Sequence, residues 1–348
     1  MRRFISLIIL VIVVSIASHA VSLALDSIRE WGKFPAFVVD TYRWGDKFFN
    51  GYDTVYVRGT GYKFNVKTRT ESWQDYYNFE LPNNMRMRML SDPSTSVGLY
   101  VSYLALSLGY DVNVSNVLGM NSKGRQKLTF GFNCSLFAVD ATWISNKGGT
   151  TISKFGKRGD TYNPDIQFNG LDMSSTNLDI YYFFNHKRYS QASAFTFSRR
   201  QERSQGSFYA GISYSKQKFK FDFSSLPDEM KDALPESWSQ YKYYAKTNNY
   251  LIKVGYGYNW VPHRRWVIGI TESPLFGLKH GYINEESQQT NTFALYNDLR
   301  ASVVWNSGRW FIGAVGQFTV SLIYDADSTF TSAILQGSLT AGYRFNLW

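Results

Sequence analysis

Four histidines, one cysteine and a scatter of charged side chains are the groups in this 348-residue chain that could do chemistry. His19 sits in an N-terminal leader and leaves with it. His186 and His263 fall in predicted turns beside Lys187, Arg188, Arg264 and Arg265, where a solvated turn is a better reading than a metal or catalytic role. His280 ends a predicted strand near Glu285, Glu286 and Ser287. A serine, a histidine and an acid are what a hydrolase at the outer rim of a barrel would need. With many serines near one histidine, however, the match is cheap. The lone Cys134 has no partner in the chain, which excludes a disulfide framework. There are no paired cysteines and no His-x-His cluster, so no metal site is arguable. Gly255-x-Gly257 precedes no helix and is no phosphate loop; it reads as strand glycine facing a crowded interior. No catalytic residue, metal or cofactor is expected.

The elements that carry these groups are strands. Phe (26), Tyr (25) and Trp (10) are abundant, and 18% of residues are charged. Disordered chains are poor in aromatics, so disorder is excluded. After residue 25 no run of 18 apolar residues occurs, which excludes a polytopic helical membrane protein. The first 25 residues have another layout: Arg2 and Arg3, an apolar stretch from Ile5 to Ala17, then Ser18-His19-Ala20 and Ser22-Leu23-Ala24. That is a secretory signal peptide, 1–20 or to 24, and it sends the mature chain out of the cytoplasm.

From residue 60 onward the chain alternates with period two. Tyr62, Phe64, Val66 and Thr68 interleave with Lys63, Asn65, Lys67 and Arg69; Leu128, Phe130 and Phe132 with Lys127, Thr129 and Gly131; Tyr250, Ile252 and Val254 with Asn249, Leu251 and Lys253. Successive strand side chains point to opposite faces. In a soluble sandwich the apolar face would be the core; in an outer-membrane barrel it meets lipid and the polar face meets the lumen. The membrane reading is favoured by segments of 10 to 15 residues, long against about 5–6 for a soluble strand, and by aromatics such as Trp260, Trp266, Trp305 and Trp310 at segment ends, where girdles sit.

The expected fold is therefore all-β, a transmembrane antiparallel up-and-down barrel over 60–348 with about 14 strands, 12 being the alternative. The strands are placed at 60–71, 95–103, 105–115, 126–137, 139–151, 176–185, 189–200, 206–214, 216–222, 247–261, 264–280, 290–306, 309–324 and 330–347. Met85-Arg86-Met87-Arg88-Met89 also alternates but suits an outer-loop extension. The other long links, including 72–94, 152–176 and 222–247, are outer loops. The last of these holds a short helix, opened by Pro227, capped by Ser224 or Ser225 and ended by Pro235. Residues 25–59 do not alternate and form a periplasmic or plugging segment.

Several stretches carry a family resemblance: MLSDPSTSVGLYVSYLALSLGY (89–110), NLDIYYFFNHKRYSQASAFTFS (177–198), RSQGSFYAGISYS (203–215), VGYGYNWV (254–261), WNSGRWFIGA (305–314) and GYRFNLW (342–348). Over about 60–348 the chain resembles a family of bacteroidete outer-membrane β-barrels classified as a domain of unknown function. The resemblance implies a fold and an address, the outer membrane of a Gram-negative bacterium, and supplies no functional residues. A closing aromatic is typical of barrels read by the outer-membrane insertion machinery. Here Tyr343, Phe345 and Leu347 share one face and Trp348 lies one step beyond.

The functional signal left is the lining of the lumen. The parities turn Lys63, Lys67, Arg69, Lys127, Lys253, Arg300 and Arg344 inward, with Glu71, Asp179 and Asp298 as the fewer acids. A basic, water-filled lumen would favour anions. Alternatively the charges pair with one another in a filled barrel, because burying them unpaired is costly. The expected function is a non-enzymatic structural barrel or a small passive pore, with a rim hydrolase or a subunit of an envelope assembly as alternatives. Expected partners are membrane lipid, the insertion machinery and an envelope protein met through the outer loops. Nucleic acid is not expected, because the cations are spread through strands.

Overall fold

The computed structural model describes residues 36, 40, 51–62, 64–103, 106–115, 126–147, 149–234, 240–283, 290–325 and 328–346. The signal segment, most of 25–59, Lys63, Glu285, Glu286, Ser287 and Trp348 lie outside them. The chain divides into two units, Met1–Gly51 and Tyr52–Trp348, and the second carries the sheet.

Long antiparallel strands dominate it: β2 (Phe64–Leu81), β4 (Ser94–Tyr103), β5 (Leu106–Asn113), β6 (Gln126–Asn133), β7 (Phe137–Lys147), β11 (Leu171–Phe183), β13 (Gln205–Asp222), β14 (Lys242–His263), β15 (Trp266–Ile283), β16 (Thr290–Asn306), β17 (Trp310–Asp325) and β18 (Ser328–Phe345). They follow one another in the order β5-β4-β2-β18-β17-β16-β15-β14-β13-β11-β7-β6, within a sheet of 16 strands. The other four, β3 (Met85–Ser91), β8 (Thr150–Lys157), β9 (Asp160–Tyr162) and β10 (Ile166–Phe168), branch from the upper half of β2. The expected 14 falls between the twelve strands of the path and the 16 of the whole sheet. β18 pairs with β2 over its full length, from Thr329↔Glu80 to Phe345↔Phe64, and β5 and β6, the ends of the path, come together at the seam. The arrangement is an all-β, curled antiparallel barrel wall.

Its alternation has two regimes. In the lower part of β13 the outward side chains are Phe208 and Ile212, 64% exposed, while Ser207, Ser213 and Ser215 are buried inside. Above Tyr214 the pattern inverts: Lys216, Lys218 and Lys220 are outward, and Phe219 and Phe221 are buried. The surroundings impose this. Hydrocarbon outside demands apolar outward groups; above it, water outside demands polar ones, and the interior becomes an ordinary core. Tyr77, Phe79, Met87, Met89, Ile152, Phe155, Phe219, Phe221, Phe223 and Met230 form that core.

The inversion corrects the strand assignments. Residues 206–214 and 216–222 are one strand of 18 residues, split in the sequence reading because the apolar parity changes midway. For the same reason β2 does not stop at 71 but runs to Leu81 and forms a hairpin with β3, so 72–94 is strand rather than loop. The short helix α2 (Asp228–Asp232) is present, but Pro227 precedes it and no side chain caps it. Ser224 is held by Asp222 instead, its Oγ donating at 2.5 Å, and these bonds lower the Asp222 pKa. Pro235 lies outside the described residues.

The largest correction concerns 189–200. It is not a strand of the wall. After β11 the chain turns inward as a helical turn, α1 (Gln191–Phe195), followed by β12 (Arg199–Gln201), and returns to the wall at Gln205. Tyr189, Ala192, Ala194 and Phe197 are buried. Gly257, Gly269 and Gly313 make room, since a Cβ on each would lie 2.3, 2.5 and 2.6 Å from Tyr189, Ala194 and Phe197 respectively. The backbone of the insert is satisfied from the wall: Asn259 Nδ2 donates to the Ser190 carbonyl at 2.9 Å and to Gln201 Oε1 at 3.1 Å. Small residues that could alternate as a strand thus serve as a plug. β1 (Val57–Gly59) pairs with β12 at the same end.

That end carries the short connections, Cys134–Leu136 and Ser307–Arg309 among them, with Gly308 at φ 97° in the latter turn. It is the periplasmic end, because outer-membrane barrels keep short turns there. Near the middle of the outward band, Leu335→Lys is expected to cost about 2–4 kcal/mol. Lys216→Gln, above the hydrocarbon, should change little. Urea unfolding in lipid vesicles, followed by tryptophan fluorescence, measures both.

Candidate functional site in the barrel interior

The inward face of the mid-barrel gathers charged side chains from four strands, β7, β11, β14 and β16. Lys253 on β14 is 2% exposed and its Nζ lies 3.1 Å from Asp179 on β11 and 3.6 Å from Asp298 on β16. Arg300, two residues from Asp298 and so on the same face, donates from Nε to Asp298 at 3.0 Å and from Nη1 to Asp140 on β7 at 3.3 Å. Tyr181 donates to Asp140 at 2.9 Å. Gln317 and Thr319 on β17 donate to Asp298 Oδ1 at 2.8 and 2.9 Å. β7 and β16 stand five strands apart along the sheet, so the Arg300–Asp140 pair crosses the lumen.

A second group lies at the seam. Arg69 on β2 contacts Glu71 at 3.3 Å and Asp111 on β5 at 3.6 Å. Lys127 on β6 reaches back to Glu71 at 2.6 Å and also bonds Gln336 on β18. Tyr100 on β4 accepts from Arg69 and donates to Asp111, with Lys67 over its ring at 5.5 Å. These contacts join β2, β4, β5 and β6, which meet at the seam.

Arg344 forms a third group at the plug. It is 2% exposed, donates to Asn306 Oδ1 at 3.0 Å and to the Gly308 and Phe197 carbonyls, and lies over the Phe311 ring at 4.1 Å. Phe197 holds a φ of 63°, unusual for a bulky residue. The Arg344 bond to its carbonyl is part of what holds it there.

Of the residues expected to line the lumen, the structure thus joins Asp179, Lys253, Asp298 and Arg300 in one network, and Arg69 and Lys127 in another. Lys67 adjoins the second, and Arg344 stands apart at the plug. Lys63 is outside the described residues. Asp111 and Asp140 were missed as inward acids. Their signal was available: Asp140 alternates with Val139 and Ala141, and Asp111 with Tyr110 and Val112. Tyr343 and Phe345 stand on the outward face, Tyr343 against Trp310 at 4.6 Å and Phe345 against Phe64 at 5.7 Å.

The groups with catalytic potential are placed elsewhere. His280 does not face the interior: its inward neighbour Lys279 is buried, and its Nδ1 is paired with Asn291 Oδ1 at 2.7 Å. Glu285, Glu286 and Ser287 lie outside the described residues. His186, in a periplasmic turn, has its pKa lowered by burial. Cys134 is buried in the turn before β7, where burial pushes its thiol up, away from the reactive thiolate. Among the described residues no three His, Cys, Asp or Glu side chains converge as metal ligands.

An outward apolar band, aromatic girdles, a wall of long antiparallel strands and a polar interior define a β-barrel of the outer membrane of Gram-negative bacteria, in contact with membrane lipid. The chain belongs to the family described as Domain of unknown function (DUF4421), whose model matches residues 51–345. No curated protein matches it. Among solved structures, it is similar to the outer membrane protease OmpT from Escherichia coli, at 7% identity over 81% of this chain and 97% of that one, with a TM-score of 0.40. The translocator domain of autotransporter NalP from Neisseria meningitidis is similar at 10% identity over 94% and 100%, with a TM-score of 0.29. A deltaS2 mutant of the TodX monoaromatic hydrocarbon channel follows at 6% identity over 82% and 91%, also at 0.29. None of these likenesses is close enough to bring an activity.

The mid-barrel network makes Lys253 the group whose loss exposes most. Lys253→Met leaves Asp179 and Asp298 without their shared cation and is expected to destabilise the barrel by about 3–5 kcal/mol. Adding Asp179→Asn should recover part of that loss. A double-mutant cycle of unfolding free energies in vesicles reads the coupling; strictly additive losses would contradict a direct interaction.

Proposed function

We propose that the protein is a non-enzymatic, sealed barrel whose role is mechanical and presentational: it anchors its extracellular sheet extension in the outer membrane and offers that surface to an envelope partner. The Arg300–Asp140 pair is the observation that carries this reading, because it ties opposite parts of the wall through the lumen. Three further features support it. The periplasmic mouth holds the 185–204 insert. The upper lumen holds an aromatic and methionine core. The charges expected to make the lining attractive to anions stand with carboxylates at mid-barrel, where Asp140, Asp179 and Asp298 outnumber Lys253 and Arg300.

The extension beyond the membrane is the part left free to act. β3, β8 and β10, the 223–234 segment and the upper ends of β13 and β14 share one core, with β9 on its rim. Their outward faces are polar, with Arg86 bound to Glu80 at 2.6 Å and Lys242 to Asp222 at 3.5 Å. A protein partner would meet these faces. The outward pair Tyr343 and Phe345, followed by Trp348, serves in this reading as the signal for the insertion machinery.

Planar-bilayer recording of the purified protein tests the sealing. The expected result is no stable conductance from the native chain. Stable anion-selective current from the native protein would overturn the proposal in favour of a pore.

A further inference from the structure

On the outward face shared by β13 and β14 the opposed pairs, from the extracellular side downward, are Lys218 and Lys246, Lys216 and Asn248, Tyr214 and Tyr250, and Ile212 and Ile252. The two tyrosine rings lie 5.4 Å apart, and the two isoleucines are 64% and 52% exposed. Toward the bilayer the face is thus cationic, then aromatic, then aliphatic. Its upper four residues mark out a rectangle, about 5 Å across the strands and about 7 Å along them. Lys216 and Lys218 are exposed and Lys246 is half-buried. The Tyr214 hydroxyl donates to Asn248 Oδ1 at 2.9 Å, so the carboxamide presents Nδ2 as its donor. The rectangle offers three ammonium groups and an amide, all of them donors.

The strand neighbours of Lys216 and Lys218 are Thr176 and Ser174 on β11, and Asn248 and Lys246 on β14, none of them acidic. The outward acids of β11 and β13 stand higher: Asp172 is opposite Lys220, and Asp222 holds Lys242 at 3.5 Å. Lys220 itself lies over the Tyr244 ring at 5.4 Å. Lysines placed directly opposite one another, as Lys218 and Lys246 are, repel. An anion set between them converts that repulsion into attraction. We propose that this face binds a phosphorylated lipid of the outer leaflet. Its phosphate rests on Lys216, Lys218, Lys246 and Asn248 Nδ2, and its acyl chains run down over Tyr214, Tyr250, Ile212 and Ile252.

The chemistry selects the headgroup and the depth selects a lipid. A phosphate monoester carries close to two negative charges and three strong acceptor oxygens, which suits a face made of donors alone. A zwitterionic headgroup brings a cation of its own and is repelled. The polar headgroup layer extends roughly 5–7 Å beyond the hydrocarbon on each side. Lys216 stands one step above the tyrosines, within that layer, and the flexible stems of Lys218 and Lys246 let their ammonium groups reach down to the same level. Inorganic phosphate would meet the cations but leave the aromatic and aliphatic half of the face unused; a lipid covers both.

Native mass spectrometry of the purified protein, released from detergent micelles and titrated with dioleoylphosphatidic acid or dioleoylphosphatidylcholine, tests this. The native chain should bind its first phosphatidic acid more tightly than phosphatidylcholine. Lys216→Gln, Lys218→Gln and Lys246→Gln together should weaken phosphatidic acid binding ~100-fold, at about fivefold per lysine beside a charged lipid, and leave phosphatidylcholine binding unchanged. The corresponding triple change to Arg should keep the preference. Removing as much charge from the extension, by Lys154→Gln, Lys157→Gln and Arg158→Gln, should not alter it. An excess of inorganic phosphate should not displace the lipid. Urea unfolding should show an intact barrel in each variant, and the comparison of the two lipids on the native chain needs no variant. Equal binding of the two lipids by the native chain would overturn the proposal. So would an equal loss in the extension variant, or displacement of the lipid by inorganic phosphate.

Discussion

Hydrocarbon provides no partner for a polar group, and this constraint runs through every part of the molecule. Backbone donors and acceptors in the bilayer must find each other, which only a closed sheet or a helix allows. Once the wall is a sheet, side chains alternate, and the polar half has to point inward. There the charges face one another across the lumen, Lys253 and Asp298 buried among them, and they too must be matched. The network of Lys253, Arg300, Asp140, Asp179 and Asp298 is the consequence, and so is the seam cluster of Arg69, Glu71, Asp111 and Lys127.

The same constraint, lifted at the outer surface, produces the second half of the architecture. Above Tyr214 the outside is aqueous. Lysines take the outward positions of β13, and phenylalanines move in. A single strand therefore serves two cores of opposite sense, a polar one at bilayer depth and an apolar one above. The inverted upper half gives the extension a core of its own, built on the strands that form the wall. This is why the barrel can carry surface beyond the membrane without a separate folded domain.

The periplasmic mouth follows a different logic. Its insert is short, small-sided and buried, and the wall is carved to receive it by Gly257, Gly269 and Gly313. Arg344, near the C-terminus, clamps the insert from β18 through the Phe197 carbonyl, while β1, near the start of the described wall, pairs with β12. The two ends of the barrel sequence thus meet on the loop between β11 and β13, and its closure depends on residues far apart in the chain.

Read alone, the residues sufficed for the class, the membrane, the outward set and the identity of most inward charges, because alternation is a local property and each strand reports its own faces. They also implied that Lys253 and Arg300 were inward, since parity needs no partner. They were silent on pairing: that Arg300 meets Asp140 five strands away depends on how the sheet curls. They misled at three places for physical reasons. At 206–222 and 64–81 the apolar parity reverses with the surrounding solvent, so one strand looks like two, or like a strand and a loop. At 189–200, small residues alternate well enough to pass for a strand, and only the cavity left by three inward glycines, on strands remote in sequence, makes the segment a plug.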